Sequence, residues 1–591
     1  MKNLIIKTCF DYNKISNKFN KIFLGNHCNK YDYKNKKIVD LCNISSHHWN
    51  NYQSFIDDYN YINSIYIRTL NHLTLALNEF HQLNKSKLFW EILVGPWLIY
   101  YCVNIFDRWK LVTSIKYKKN LFTILNNSLN KSITPYTIED YKRVINSEIY
   151  NHYIFSKILL FKKDLKVTFI NSQKDIYDDL DLLLAKKKRI KDTINFFLKK
   201  IYIILFGFFI KKQKIAVLRS YLGVFRDLKI NFSLLQFPCV YLNESKNYNL
   251  NFKKNRKNLN IKFKAKNEFE KFLLNEIIYH IPKVFVEKFD NMQSTITESS
   301  LPKNPKIVYA TNFSSSTFLS FYCANKKEDG SKLFLGQHGG CYGQYDRHWS
   351  EDFEISISDR FFTYGWISKR FVNKTIPLGI QKDIKVKKRY DFNKQSKLLL
   401  IIRSRSKFIN KLDSSINSNQ KFDYIRNCYD FVNNLNSKIK KKTLIRLRDI
   451  DLGWAEHPRF KKKFPSLSFE NGTSKIFELM NSSKIVVSTA LSTSYLESLA
   501  MNIPSIVISN YKSEPMRPEA IKYLNLLIEA KIFHLTPQSA AEHINKYWDN
   551  IEEWWFSNKV QNNRKTFCNK YSCLNENFDK KLLKYLKSSV N

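Results

Sequence analysis

From about residue 300 onward, short apolar runs alternate with stretches whose apolar positions recur every three to four residues. Ile307–Ala310, Lys332–Leu335, Thr443–Leu447, Leu467–Phe469, Ile485–Ser488 and Ser505–Ile508 have the length and β-branched content of strands. Lys397–Arg403, apolar from Leu398 to Ile402, reads as a strand covered on both faces. Helical periodicity follows the Asn312–Ser316 turn from Thr317, spans roughly 423–438, begins again near Thr473 or Ser474, and covers Tyr495–Met501. Strands alternating with helices give βαβ units and parallel sheets. Two such units in tandem place the loops at the carboxyl ends of their strands around a shared cleft. The expected fold class is α/β, with two Rossmann-like domains facing that cleft.

Upstream the pattern differs. After a short strand candidate at Lys21–Gly25, the positions Tyr59, Ile62, Ile65, Leu70, Leu73, Leu75 and Leu77 recur at near-helical spacing and lead into the apolar Phe89–Trp97. This predicts a mainly helical region over 1–130, an acceptor-side Rossmann-like domain with a lysine-rich insertion over 131–385, and a nucleotide-donor domain with C-terminal helices over 386–591. Strand-like Lys214–Tyr221 falls in the middle segment, as does an expected exposed loop across 243–260. The longest apolar run, Ile201–Ile210, reads first as a buried core segment; its lysine flanks also allow a patch resting on an anionic membrane surface. It has about half of the roughly 20 residues that a spanning helix needs.

Composition adjusts this picture in two places. With 591 residues, 44% of them hydrophobic and 15% aromatic, the chain can build large cores, so wholesale disorder and a lone small binding module are excluded. Lys plus Arg outnumber Asp plus Glu by 97 to 52, a net +45 that raises the possibility of a polyanionic partner. The excess is scattered lysine beside abundant Asn, Ile, Tyr and Phe, as an AT-rich coding sequence produces, so a nucleic-acid-binding protein is the lesser alternative. Ten cysteines lie without any C-x-x-C pair, and the first ten residues lack the apolar length and cleavage site of a signal peptide. The expected location is cytoplasmic, with peripheral contact on the inner membrane face.

The strongest chemical signal is Gly336–Gly343, GQHGGCYG, directly after a strand. Its glycines permit positive φ and close backbone approach, and His338 in the turn is a candidate general base; the alternative is a turn residue bonded to backbone. Gln337, Gly339, Gly340 and Gly343 complete an acceptor-side loop. In the loop 488–494, Ser492, Thr493 and Ser494 can cap a helix whose first N–H groups face a donor phosphate, and Glu497 can accept from ribose hydroxyls or close a capping box with Ser494. Arg403 and Arg446, with Arg448, can hold phosphate, or be salt-bridged instead. His457 is a weaker cleft candidate. The D-x-D patterns Asp179–Asp181 and Asp449–Asp451 are short enough to arise by chance, so no metal is expected. No P-loop, H-E-x-x-H, G-x-S-x-G or G-x-G-x-x-G pattern occurs.

Five segments in this order, Asp57–Tyr61, Phe89–Leu98, Gly336–Gly343, Ser358–Trp366 and Ser494–Glu497, resemble the transferases of bacterial surface-polysaccharide (O-antigen) biosynthesis loci. The resemblance implies a GT-B-like, metal-independent glycosyltransferase that needs no cofactor and binds its nucleotide-sugar donor in the C-terminal domain. The acceptor it implies is a lipid-linked O-antigen or capsule glycan. The strand and His-Gly turn are also similar to those of teichoic-acid-type polyol-phosphate polymerases, whose matching histidine is the base; here that position is His338. Gln337 stands where those enzymes have Trp, so transfer of a polyol phosphate from a CDP donor remains the alternative.

Overall fold

A computed structural model describes residues 2–14, 19–29, 31–32, 37–38, 44, 46–116, 120–126, 133–172, 190–242, 255–384, 396–415, 417–511 and 513–590. Three parallel sheets organise the chain. The expected strands appear within a residue or two of their predicted bounds, except that Lys214–Tyr221 is a strand only over Ile215–Leu218. Asp179–Asp181 lies outside the described residues, as does most of the 243–260 loop.

The C-terminal sheet runs in the order Ser468–Glu470, Thr443–Arg446, Lys397–Ile401, Ser483–Ser488, Ser505–Ile508, Phe533–His534. In chain order this is 3-2-1-4-5-6, the Rossmann sequence, and the direction of winding reverses between Lys397–Ile401 and Ser483–Ser488. Crossovers leave those two strands on opposite sides, which opens a crevice at their carboxyl ends. Arg403 follows the first strand and Ser492 the second, so the topology alone brings them to one crevice.

The middle sheet steps without reversal through Ile215–Leu218, Ile307–Thr311, Lys332–Gly336, Arg360–Thr363 and Thr375–Pro377. Every residue of Ile215–Leu218 and Ile307–Thr311 is buried, as in a sheet covered on both faces. One covering element comes from the far end of the chain. In the helix Phe578–Ser588, Phe578, Leu582 and Leu586 are buried in one cluster with Ile215, Ile307, Phe334 and Phe362.

The helical opening is present but incomplete as an account of the N-terminal region. Helices Tyr52–His81 and Lys87–Thr113 pack together, capped by Asn51 and Ser86. Gly95 lets them approach, since a Cβ there would lie 2.6 Å from the Tyr66 hydroxyl. Leu75, two residues beyond Leu73 and so off the buried stripe, is exposed. Around these helices stands a third parallel sheet, ordered Asn20–Phe23, Asn3–Ile6, Leu121–Asn126, Val167–Ser172. The last two strands pair across residue 130, so the sheet continues past the predicted end of that region. This region also grips the C-terminal domain: Lys407 pairs with Glu148 at 2.7 Å, and Asn26 donates to the Asn419 carbonyl at 2.8 Å.

Lys87–Thr113 is the one described helix long and apolar enough to cross a bilayer, and 83% of its most apolar stretch is buried within the protein. Ile201–Ile210 departs from the buried-core expectation. It belongs to the helix Ile190–Lys211, in which Ile201, Ile204, Leu205, Phe208 and Phe209 are exposed and only Gly207 and Ile210 are buried in that run.

Candidate active site

The strand Lys332–Gly336 delivers the GQHGGCYG loop to the edge of the C-terminal domain. Gln337 fixes its base: fully buried, it donates to the Gly339 carbonyl at 2.8 Å, and its carbonyl accepts from the Tyr364 backbone and the Trp366 indole, both at 2.9 Å. It is a brace and does not face the cleft. Positive φ falls on Gly343 (71°) and, unexpectedly, on Cys341 (74°), while Gly336 and Gly340 serve close approach. A Cβ on Gly340 would strike the Ser492 and Thr493 backbone, and the Gly340 N–H donates to Thr493 Oγ1 at 2.9 Å. The loop of one domain is thereby pinned to a helix start of the other.

Beside this contact opens a cavity of about 500 Å³, lined by His338, Gly339, Gly340, Arg403, Ser492 and Thr493. Four further cations line it: Lys142, Arg405, Lys411 and Arg448. Burial, and then the charge of Lys411, pushes the Lys142 ammonium down to about 8. Lys411 is pushed to about 8 by desolvation and then by Arg405. An anion in the cavity would raise both again, the behaviour of a phosphate site.

His338 is partly exposed on the cavity wall, with Nδ1 3.7 Å from Glu354 Oε2. Burial and then Lys411 hold its imidazole down to about 3, so it is neutral throughout the physiological range. Burial pushes the Glu354 carboxyl up to about 8, while Tyr342 donates to it at 3.0 Å. Nδ1 has no hydrogen-bond partner at this distance; a proton placed on Nδ1 leaves Nε2 to accept one from a hydroxyl, and Glu354 serves as counter-ion only after losing its own proton.

The chain matches the LIC12162 family transferase over residues 11–586. It belongs to that family. No curated protein matches it. Among solved structures it is similar to Anabaena HepE in complex with UDP-glucose, at 10% identity over 64% of this chain and 99% of that one, TM-score 0.33. It is likewise similar to the wall teichoic acid polymerase TagF soaked with CDPG, at 10% identity, 68% and 98% coverage and TM-score 0.32. A mutant of Thermobaculum terrenum O-GlcNAc transferase aligns at 8% identity over 89% of this chain and 98% of its own, TM-score 0.31. The arrangement of this LIC12162-family transferase, two parallel-sheet domains facing a cleft, is GT-B-like by its own topology.

Several expected site residues lie elsewhere. Arg446 does not line the cavity; it is paired with Glu470 at 2.7 Å, its cross-strand partner on the Ser468–Glu470 edge, and donates to the Ser474 carbonyl. The helix after the Ser/Thr loop starts at Thr493, not Tyr495, which places Glu497 in its second turn. There Glu497 is buried and ion-paired with Lys382, forming neither the capping box with Ser494 nor a contact with the cavity. Ser494 bonds to Ser492 Oγ at 2.8 Å, and no side chain caps the helix. Gly343 packs on Trp366. Arg403 does reach the cavity, although one of its terminal nitrogens is committed to Glu514, Tyr345 and the Leu491 carbonyl.

His457 is exposed on the helix Glu456–Lys463, stacked edge-on with Phe469. In the D-x-D pair, Asp451 accepts from the backbone N–H groups of Gly453, Trp454 and Ala455, so its carboxylate shapes a turn. Sequence reasoning missed Lys142, Arg405 and Lys411. The alternating Arg403-Ser-Arg405 after a strand was a usable signal, whereas nothing local marks Lys142.

Proposed function

We propose that this transferase is a glycosyltransferase moving a sugar from a nucleotide-sugar donor to a surface-polysaccharide acceptor carried on a lipid. One observation carries the reading: a neutral histidine backed by a carboxyl group faces a cavity ringed by Arg403, Arg405, Arg448, Lys142 and Lys411 at a Rossmann switch point. In the proposed step His338 Nε2 takes the acceptor hydroxyl proton as that oxygen bonds to the sugar's anomeric carbon. The bond to the nucleotide breaks with its electrons leaving on phosphate, and the ring of cations takes up that charge. On this reading the same cations stabilise the leaving group without a metal or further cofactor, and the donor is drawn from the cytoplasm.

The test is a panel of UDP-, GDP-, dTDP- and CMP-linked sugars in a thermal-shift assay, with and without EDTA, followed by product mass. A donor at 100 times its Kd stabilises the fold by about 2.7 kcal/mol. The reading expects a shift from at least one donor, unaffected by chelation. A product that retains phosphate would replace it with polyol-phosphate transfer from a CDP donor. Tight nucleic-acid binding with a steep salt dependence, and no donor response, would replace both.

A further inference from the structure

A helix on a protein surface ordinarily turns its apolar stripe inward and polar residues outward. Ile190–Lys211 does the reverse. Its inner side is held by Tyr202, which donates to the Pro238 carbonyl at 3.1 Å, by Phe206, stacked 4.7 Å from Phe237, and by buried Gly207 and Ile210. Its outward positions are Phe197 (58% exposed), Ile201, Ile204, Leu205 (61%) and Phe208 (64%). Leu235, 96% exposed in the turn that leads to Phe237, adds to this apolar surface. Large exposed apolar areas of this kind mark an interaction face.

The charges around the patch indicate what covers it. From Ile194 to Leu218 there are five cations, Lys199, Lys200, Lys211, Lys212 and Lys214, and no carboxylate. Lys212 lies over the Phe208 ring at 3.9 Å. Lys303 is held below the usual lysine range by desolvation and then by neighbouring Lys211 and Lys326, so the positive charge continues onto the adjoining surface. A second copy docked on the same face would bring its own five lysines against these. A bilayer rich in acidic phospholipid offers both halves of the complement at once, acyl chains for the aromatic and aliphatic side chains and anionic headgroups for the lysines.

We infer that the helix Ile190–Lys211 is a monotopic membrane anchor that lies along the surface of an anionic bilayer. At 1.5 Å per residue its 22 residues extend about 33 Å, too charged in the middle, at Lys199 and Lys200, to cross but well placed to lie flat. The inference does not depend on the donor reading, because its test contains neither donor nor acceptor.

The full chain is sedimented with vesicles of mixed phosphatidylglycerol and phosphatidylcholine, and with phosphatidylcholine alone. Binding to the mixed vesicles is expected to be the stronger, and to weaken with added salt. The triple variant Phe197→Glu, Leu205→Glu, Phe208→Glu, whose side chains leave no core contact, should unfold at the same temperature as the parent and lose about tenfold or more of its vesicle affinity. Replacing Lys199, Lys200, Lys211 and Lys212 by Gln should erase the preference for anionic lipid. A parent chain that stays in the supernatant would overturn the inference, as would a triple variant that pellets like the parent. So would light scattering that finds a dimer which the triple variant dissolves, since a second copy would then be the occupant.

Discussion

Replacing Gly340 with alanine tests whether the contact between the His338 loop and the C-terminal domain positions the site. The new Cβ would fall 2.5 Å from the Ser492 carbonyl oxygen, 2.6 Å from its carbon and 2.7 Å from the Thr493 nitrogen. All three are backbone atoms, so no rotamer change relieves the clash, and the loops must part by about 1 Å to reach ordinary contact. Overpacking of this kind costs about 1–3 kcal/mol. Stretching the 2.9 Å bond from the Gly340 N–H to Thr493 adds about 1 kcal/mol. Moving the base about 1 Å from the donor cradle is enough to lower turnover about 10²-fold. Gly339 supplies the control. Its Cβ would meet only Thr493 Oγ1 at 3.6 Å, and neither glycine has a positive φ. Gly339→Ala should therefore be neutral or more stable by up to about 1 kcal/mol. The assay is the thermal midpoint of each variant, paired with turnover on the donor that the nucleotide panel identifies. If Gly340→Ala matched Gly339→Ala in both, the domain contact would not be what places His338.

Other expectations follow from the same geometry. His338→Ala should lower turnover by about 10² to 10⁴-fold while donor affinity and melting temperature stay put, read by steady-state kinetics and calorimetry. Turnover should rise as pH climbs toward 8, where Glu354 loses its proton and becomes a counter-ion for protonated His338; donor affinity should fall above 8 as Lys142 loses its charge. Glu354→Gln should remove the first limb and keep the second. Arg446→Ala should cost about 1 kcal/mol of stability with no change in donor affinity, whereas Arg403→Ala should weaken donor binding severalfold.

What the sequence disclosed depended on how local each cause is. Strands such as Ile307–Thr311 and Ser505–Ile508 are apolar on both faces, and that signal survives without tertiary context. The GQHGGCYG loop was legible because glycines crowd where backbones meet. Glu354 carries no local signal, since its nearness to His338 depends on how the helix Trp349–Ile357 folds back. Arg446 and Glu497 misled for a common reason: a side chain's partner on a neighbouring strand or loop, Glu470 or Lys382, is far away in sequence. The N-terminal sheet escaped notice because Asn3–Ile6 and its neighbour Leu121–Asn126 are brief strands more than 110 residues apart, with a long helical hairpin between them.

The helix Phe578–Ser588 has a consequence for biosynthesis. Residues 215–378 leave the ribosome roughly 200 residues before that helix is made, a wait of about 10–40 s at ordinary elongation rates. Through that interval Ile215, Ile307, Phe334 and Phe362 lack the cover that Phe578, Leu582 and Leu586 later provide. A nascent chain in this state is a natural client for a holding chaperone. A transcript cut short before Phe578 would still encode every residue lining the cleft, and its product is expected to aggregate instead of accumulating as a soluble enzyme.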